Sequence, residues 1–206
     1  MRNVQDSNIW KFEEDVRSKG HILIAGLDEA GRGPMAGPVV SAAVILPPDF
    51  AAYGITDSKK LSPKKRDYFF DYIMEKALHV GVGIVGPEEI DSMNILRASL
   101  YSMLKAVQEL TVVPDFLLID GIFKIDSPIP QLPIKKGDSL SISIASASII
   151  AKVTRDRIMD EYDRLYPQYG FKGHKGYPTS AHKEAIIRSG VSPIHRKTFK
   201  GVKECL

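Results

Sequence analysis

Apolar runs of strand length, cut by turn residues, dominate the first half of this chain. Residues 22–27 end in Asp28-Glu29-Ala30-Gly31-Arg32-Gly33-Pro34, 39–46 are closed by Pro47-Pro48, and 80–85 alternate glycine with apolar residues. Such runs read as strands, and the glycine-rich bend between the first two predicts an antiparallel start. Residues 116–119 form a further unbroken apolar run that stops at Asp120-Gly121, the pattern of a strand buried on both faces. Helical spacing takes over elsewhere. Ser62-Pro63 opens a helix, with serine as N-cap and proline in the first turn, and it continues through Phe69, Tyr72, Ile73 and Ala77. Leu96, Leu100, Leu104 and Val107 recur at helical spacing along 95–110. A long helix is predicted over 141–166 and a shorter one over 180–189, stopped by Gly190. This mixed order predicts a single α/β domain: a mixed central sheet flanked by helices, with a helical C-terminal part.

Composition narrows the class. The chain has 206 residues, 44% of them hydrophobic, enough for one real core. Its net charge of +3 names no partner. The distribution says more. Lys172, Lys175, Lys183, Arg188, Arg196, Lys197, Lys200 and Lys203 face only Glu184 in their segment, and Lys59, Lys60, Lys64, Lys65 and Arg66 form a second cluster. Such fields attract polyanions, although a solvated basic surface has the same pattern. The single cysteine, Cys205, excludes an internal disulfide and fits a reducing compartment. Residues 1–20 are too polar for a signal peptide, and the apolar stretch 142–153 is too short for a bilayer and is interrupted by Ser143, Ser146 and Ser148. A soluble cytoplasmic protein with no membrane partner is expected.

Candidate chemistry lies in the acids. Asp28, Glu29 and Asp120 sit where apolar strands run out, the end of an α/β sheet at which loops converge over a rigid frame. Neighbours in a strand face opposite ways, so Asp28 and Glu29 share a site only if the chain bends between them; Gly31 and Gly33 follow closely enough to permit that. Asp138 stands at the mouth of the long helix. Carboxylate-only clusters suit Mg²⁺ or Mn²⁺, and two such ions about 3.5–4 Å apart can hydrolyse a phosphodiester without a nucleophilic side chain. Each acid also has an ordinary reading, since Asp before Gly is turn chemistry and Asp138 could cap a helix; spacing alone does not make the four converge. Other chemistries fit poorly. Residues 170–176 lack the phosphate-loop spacing, His174 and His182 have no cysteine pair to complete a zinc site, and His21 and His79 flank strands as structural residues would.

Six blocks in order carry a resemblance. Gly26-Leu27-Asp28-Glu29-Ala30-Gly31-Arg32-Gly33-Pro34 is followed by Asp57-Ser58-Lys59-Lys60-Leu61-Ser62, by Ile119-Asp120-Gly121, and by the run from Ala145 to Asp156. Then come His174-Lys175-Gly176-Tyr177-Pro178-Thr179 and His195-Arg196-Lys197-Thr198-Phe199. Together they resemble ribonuclease HII, the type 2 ribonuclease H family, across nearly the whole chain. The Gly31-Arg32-Gly33 turn separates it from ribonuclease HIII, which usually carries Gly-Lys-Gly and an added N-terminal domain. Lys197-Thr198 where Arg-Ser is more familiar, Lys200 in place of a common Pro, and Ser146 in place of a frequent alanine are departures away from the acids.

The resemblance implies a ribonuclease H-like fold, with a catalytic core over about 20–170 and a substrate-binding extension over about 171–206. It implies an endonuclease that cuts the RNA strand of RNA–DNA hybrids and incises at single ribonucleotides in duplex DNA, leaving 5′-phosphate and 3′-hydroxyl ends. Asp28, Glu29, Asp120 and Asp138 would be both catalytic and metal-binding, with Mg²⁺ or Mn²⁺, two ions in the substrate complex. Gly31, Arg32 and Gly33 would read the 2′-hydroxyl, since glycine lets backbone approach a sugar and that group distinguishes RNA from DNA. Tyr177 would pack on the sugar at the RNA–DNA junction, and Lys59, Ser148, Lys152 and Arg155 would contact phosphate. A monomer is expected, with a replication clamp as a candidate partner of the C-terminal segment. A non-catalytic hybrid-binding module and another ribonuclease H-like metal nuclease are the alternatives.

Overall fold

The computed structural model describes residues 9–206. The strands are β1 (Ile24–Ala30), β2 (Val39–Ile45), β3 (His79–Val85), β4 (Phe116–Asp120) and β5 (Gln131–Ile134). They form one sheet in the order β3–β2–β1–β4–β5. β1 pairs antiparallel with β2, as the glycine-rich bend predicts, and β3 also pairs antiparallel with β2, while β4 runs parallel to β1 and β5 parallel to β4. The strand pattern does not predict β5, which is four residues long, lies at the edge and carries Pro133.

The helices are α1 (Lys11–Arg17), α2 (Pro63–Lys76), α3 (Pro87–Met93), α4 (Ile95–Gln108), α5 (Ile142–Leu165), α6 (Phe171–His174) and α7 (Ser180–Ser189). Alternation along β2 shows why both sheet faces must be covered. Ala42 and Val44 enter a core shared with α2 and α5, whereas Ala43 and Ile45 enter another shared with α4 and β4. None of these four side chains retains solvent exposure.

Two features position the sheet end that carries the acids. First, α5 lies against β1 nearly backbone to backbone. A Cβ placed on Gly26 would sit 2.2 Å from the Ser143 carbonyl carbon, and the small residues Ser143, Ala145, Ser146, Ala147 and Ser148 of α5 are all buried. Second, Glu13 of α1 reaches across the chain to the N-terminus of α5. Its Oε1 accepts from Ser141 Oγ at 2.5 Å and from Ser143 N at 3.0 Å. The sequence pattern treats this N-terminal segment only as a polar leader.

The first strand also runs further than its apolar residues do. It continues to Ala30, so Asp28 and Glu29 are ladder residues opposite Ala42 and Ser41, not members of the following turn. Pairing with β2 fixes the backbone there whatever the side chains prefer. Among the described residues no helix is long and apolar enough to cross a membrane.

Candidate active site

Strand alternation decides where each acid points. Asp28 shares a face of β1 with Ile24 and Gly26, toward α5, while Glu29 shares the opposite face with Ala25 and Leu27, toward α4. The β1–β4 register runs to Leu27 opposite Ile119, so the next step sets Asp120 beside Asp28, about 4.8 Å away in the backbone. Asp120 Oδ1 accepts from Gly137 N at 2.7 Å and, more weakly, from Asp138 N at 3.5 Å. That contact ties the one-turn segment Gly137–Ser139, and with it Asp138, to the same rim. Three acids therefore meet on the α5 side. Glu29 reaches the rim from the other side, where it lines a cleft of about 210 Å³ with Asp120, Leu96, Met103 and Phe123. No bend brings Asp28 and Glu29 onto one face; they meet around the end of the sheet.

The electrostatics follow from this crowding. Burial, and then the charges of Glu29 and Asp120, push the Asp28 carboxyl well above its ordinary range, against hydrogen bonds from the Ser148 hydroxyl and the Glu29 amide. Glu29 is raised by burial despite the neighbouring Arg32, whose Nη1 lies 3.3 Å from its Oε1. Asp138 is raised by burial and by Asp120, with Lys59 and Lys60 opposing. Burial lowers Lys59, but Asp28, Asp57, Asp138 and Asp120 outweigh it and raise the ammonium overall; its Nζ lies 4.0 Å from Asp138 Oδ2.

This oxygen-only, mutually repelling set fits a hard divalent cation, whose charge would relieve the repulsion. Among the described residues no group of three or more such side chains is drawn together closely enough to hold a metal ion without adjustment. An open carboxylate rim suits an ion that keeps several waters and takes further oxygens from phosphate.

The other candidate residues share one place. Gly31, Arg32, Gly33, Lys59, Ser148, Lys152, Arg155 and Tyr177 all line a cleft of about 420 Å³ that also reaches Glu29. Tyr177 is 42% exposed, and its ring lies over Gly33, with Cε1 3.6 Å from where a Cβ would stand. Ser148 is buried, and its hydroxyl pairs with Ser58 Oγ at 2.9 Å. Lys152 gives its ammonium to Asp156 at 2.7 Å, and burial lowers its pKa. Arg155 departs from the expected phosphate contact. It is 1% exposed, and its guanidinium donates to the carbonyls of Pro38, Ala36 and Lys175 at 2.9, 3.1 and 3.0 Å. A cation so buried must satisfy its donors internally, so Arg155 braces the cleft wall. Gly31 rests against that brace at φ +101°, where a Cβ would stand 2.2 Å from Arg155 Nε.

Three further features escape the sequence patterns. Arg66 donates to the carbonyls of Leu61 and Ser58 at 2.7 and 3.1 Å and also lines the larger cleft. Arg196 is fully buried beneath the Gly31–Gly33 turn. Behind Tyr177 stands a chain of histidines. His182 Nδ1 lies 2.9 Å from the Tyr177 carbonyl, His182 Nε2 lies 3.0 Å from His195 Nε2, and His195 Nδ1 faces Ser192 N and Oγ at 3.0 and 2.7 Å. The network assigns one tautomer to each ring, since His182 must donate to the carbonyl and therefore accept from His195. Burial lowers both rings to about 4. His174 stacks on His182 at 4.4 Å and bonds Tyr169 O, so these imidazoles form a hydrogen-bonded buttress.

Comparison with known proteins bears on the family and the fold. The family model described as Ribonuclease HII matches residues 25–202. The ribonuclease HII of Geobacter sulfurreducens is 57% identical over 198 residues, covering 96% of this chain and 91% of the relative. Among solved structures, the ribonuclease H2 of Pyrococcus horikoshii superposes with a TM-score of 0.75 at 27% identity, over 89% of this chain and 97% of that one. A ribonuclease HII from Archaeoglobus fulgidus, solved in complex with PCNA, gives 0.71 at 25% identity over 87% and 96% of the two chains.

Proposed function

The chain belongs to the ribonuclease HII family, and from that premise we propose that it is a metal-dependent endonuclease that hydrolyses the RNA strand of RNA–DNA hybrids and incises at single ribonucleotides embedded in duplex DNA. The observation that carries the reading is the register that makes Asp28 and Asp120 sheet neighbours, with Asp138 tied to them through the Asp120–Gly137 hydrogen bond. Mg²⁺ or Mn²⁺, when bound, supplies the Lewis acidity for attack of water on the phosphodiester and for departure of the 3′ oxygen. Asp28, Asp120 and Asp138 would hold the ions from the α5 side and Glu29 from the opposite side. Lys59, with its ammonium near the acids and its side chain 76% exposed, would meet phosphate as the duplex arrives. Gly31-Arg32-Gly33 would read the 2′-hydroxyl, with Tyr177 over the adjoining sugar.

Residues from about 20 to 170 would supply the catalytic core in this reading, and about 171–206 a substrate-binding extension whose own core packs on Met35 and Ala36. A monomer suffices, because every proposed site residue comes from one chain. The C-terminal segment 200–206 is where a replication clamp would dock, as the PCNA-bound relative suggests. One assay tests the core claim. A duplex with a single ribonucleotide, incubated with Mg²⁺, with Mn²⁺ or with chelator, should be cut at that nucleotide only when the ion is present, leaving 5′-phosphate and 3′-hydroxyl ends. Equal cutting in chelator would remove the metal reading.

A further inference from the structure

Among the described residues Arg196 is the most buried cation, at 0% exposure, and it has no acidic partner within ion-pair distance. Its guanidinium instead grips three carbonyls: Gly31 O at 2.6 Å, Arg32 O at 3.1 Å and Gly37 O at 2.9 Å. The mount is rigid. Arg196 N donates to Met35 O at 2.8 Å, Ala36 and His195 form a β-bridge, and the Phe199 ring lies 4.9 Å from the guanidinium carbon. A trans peptide sends its N–H opposite to its C=O. With the carbonyls of Gly31 and Arg32 turned inward onto Arg196, the amides of Arg32 and Gly33 turn away from it, toward the larger cleft that both residues line. Neither amide has a protein acceptor among the described residues. Two successive amides aimed the same way form a concavity for an oxygen acceptor.

We propose that Arg196 is a positioning residue for substrate selection: it fixes the peptide planes of the Gly31-Arg32-Gly33 turn so that two amides face the ribonucleotide's 2′ oxygen. The inference rests on the reading of that turn as the 2′-hydroxyl sensor and adds what sets its polarity. Arg196 itself touches no substrate. Lysine in its place keeps the charge but not the fork that spans two adjacent carbonyls.

The test is binding, with calcium in place of the catalytic ion, to a duplex bearing one ribonucleotide and to its all-DNA counterpart. Arg196→Lys should lower the ribonucleotide preference about ten-fold, the scale of one lost hydrogen bond, and change all-DNA affinity by no more than about two-fold. Should that variant fail to fold, Phe199→Leu, which loosens the guanidinium but leaves it in place, should lower the preference by a smaller factor in a folded protein. An unchanged preference in whichever variant folds would overturn the proposal. So would an equal loss on both duplexes, which would mean that the turn holds phosphate. Gly33→Ala separates the two layers, since its Cβ meets only Tyr177 at ordinary contact distance. If Gly33→Ala keeps the full preference, the turn is not the sensor and the underlying reading fails. If Gly33→Ala loses it while the Arg196 and Phe199 variants do not, only the positioning role fails.

Discussion

A carboxylate held among other carboxylates is costly to the folded chain, and Asp28 shows how function and stability pull apart at one residue. Its pKa is raised first by burial and then by Glu29 and Asp120, so the folded state resists the ionised form. A raised folded pKa contributes stability below the unfolded value that is lost as pH rises. At neutral pH the ionised Asp28 is therefore a burden. Asp28→Asn keeps an oxygen for the Glu29 amide, which donates to Oδ1 at 2.7 Å, and removes the charge. It should raise the thermal midpoint by a few degrees in a melt while cutting the single-ribonucleotide substrate at least about 10³-fold more slowly. A lower midpoint, or retained turnover, would contradict this account. Asp28, Glu29 and Asp120 are visible in the sequence as strand-end carboxylates, and Asp138 as an acid at the mouth of the long helix. Their convergence is not, because the register of β1 against β4 joins residues about ninety positions apart and no local signal encodes it. Arg155 is misread for a related reason: an arginine on a helix looks the same in sequence whether it faces solvent or three carbonyls.

Among the elements, α5 carries the heaviest structural duty, and what holds its N-terminus comes from far away. Glu13 bonds Ser141 and Ser143 while its Oε2 has no partner, and burial raises its pKa. Glu13→Ala should cost about 2–3 kcal/mol in denaturant unfolding, from two lost hydrogen bonds and a small cavity. Glu13→Gln keeps the accepting oxygen and should stay within about 1 kcal/mol of the parent. A larger loss for glutamine than for alanine would show that the charge, not the bonding, matters. The long helix, the Ser62-Pro63 start and the Gly190 stop are legible because they follow local rules of capping and spacing. The α1 contact, edge strand β5 and helix α3 are not. The first depends on a partner some 130 positions distant, β5 is too short and proline-bearing to show a period, and α3 has a glycine N-cap with its capping hydrogen bond supplied by Glu89.

At the scale of the whole molecule, the C-terminal lobe is held together internally by polar groups that are neutral when buried. His182 and His195 have pKa values lowered to about 4, chiefly by burial. A lowered folded pKa in a histidine means that the unfolded chain takes the proton first, so stability present above about 6.5 is lost as pH falls toward 4. Protonating His182 at Nε2 sets N–H against N–H across the 3.0 Å contact, and protonating His195 at Nδ1 sets N–H against the Ser192 amide. The raised carboxylates gain stability over the same range, so the histidine part appears as a difference: the melting midpoint of His195→Asn should fall less between pH 6.5 and 4 than that of the parent. Parallel curves would exclude the pair as the source. Finally, Asp28 and Glu29 lie back to back at the end of one strand, and the two clefts meet over Glu29 and Arg32. Chemistry on such a ridge is presented to the side of a passing duplex. A covalently closed circle carrying one ribonucleotide should therefore be nicked as fast as the same sequence made linear.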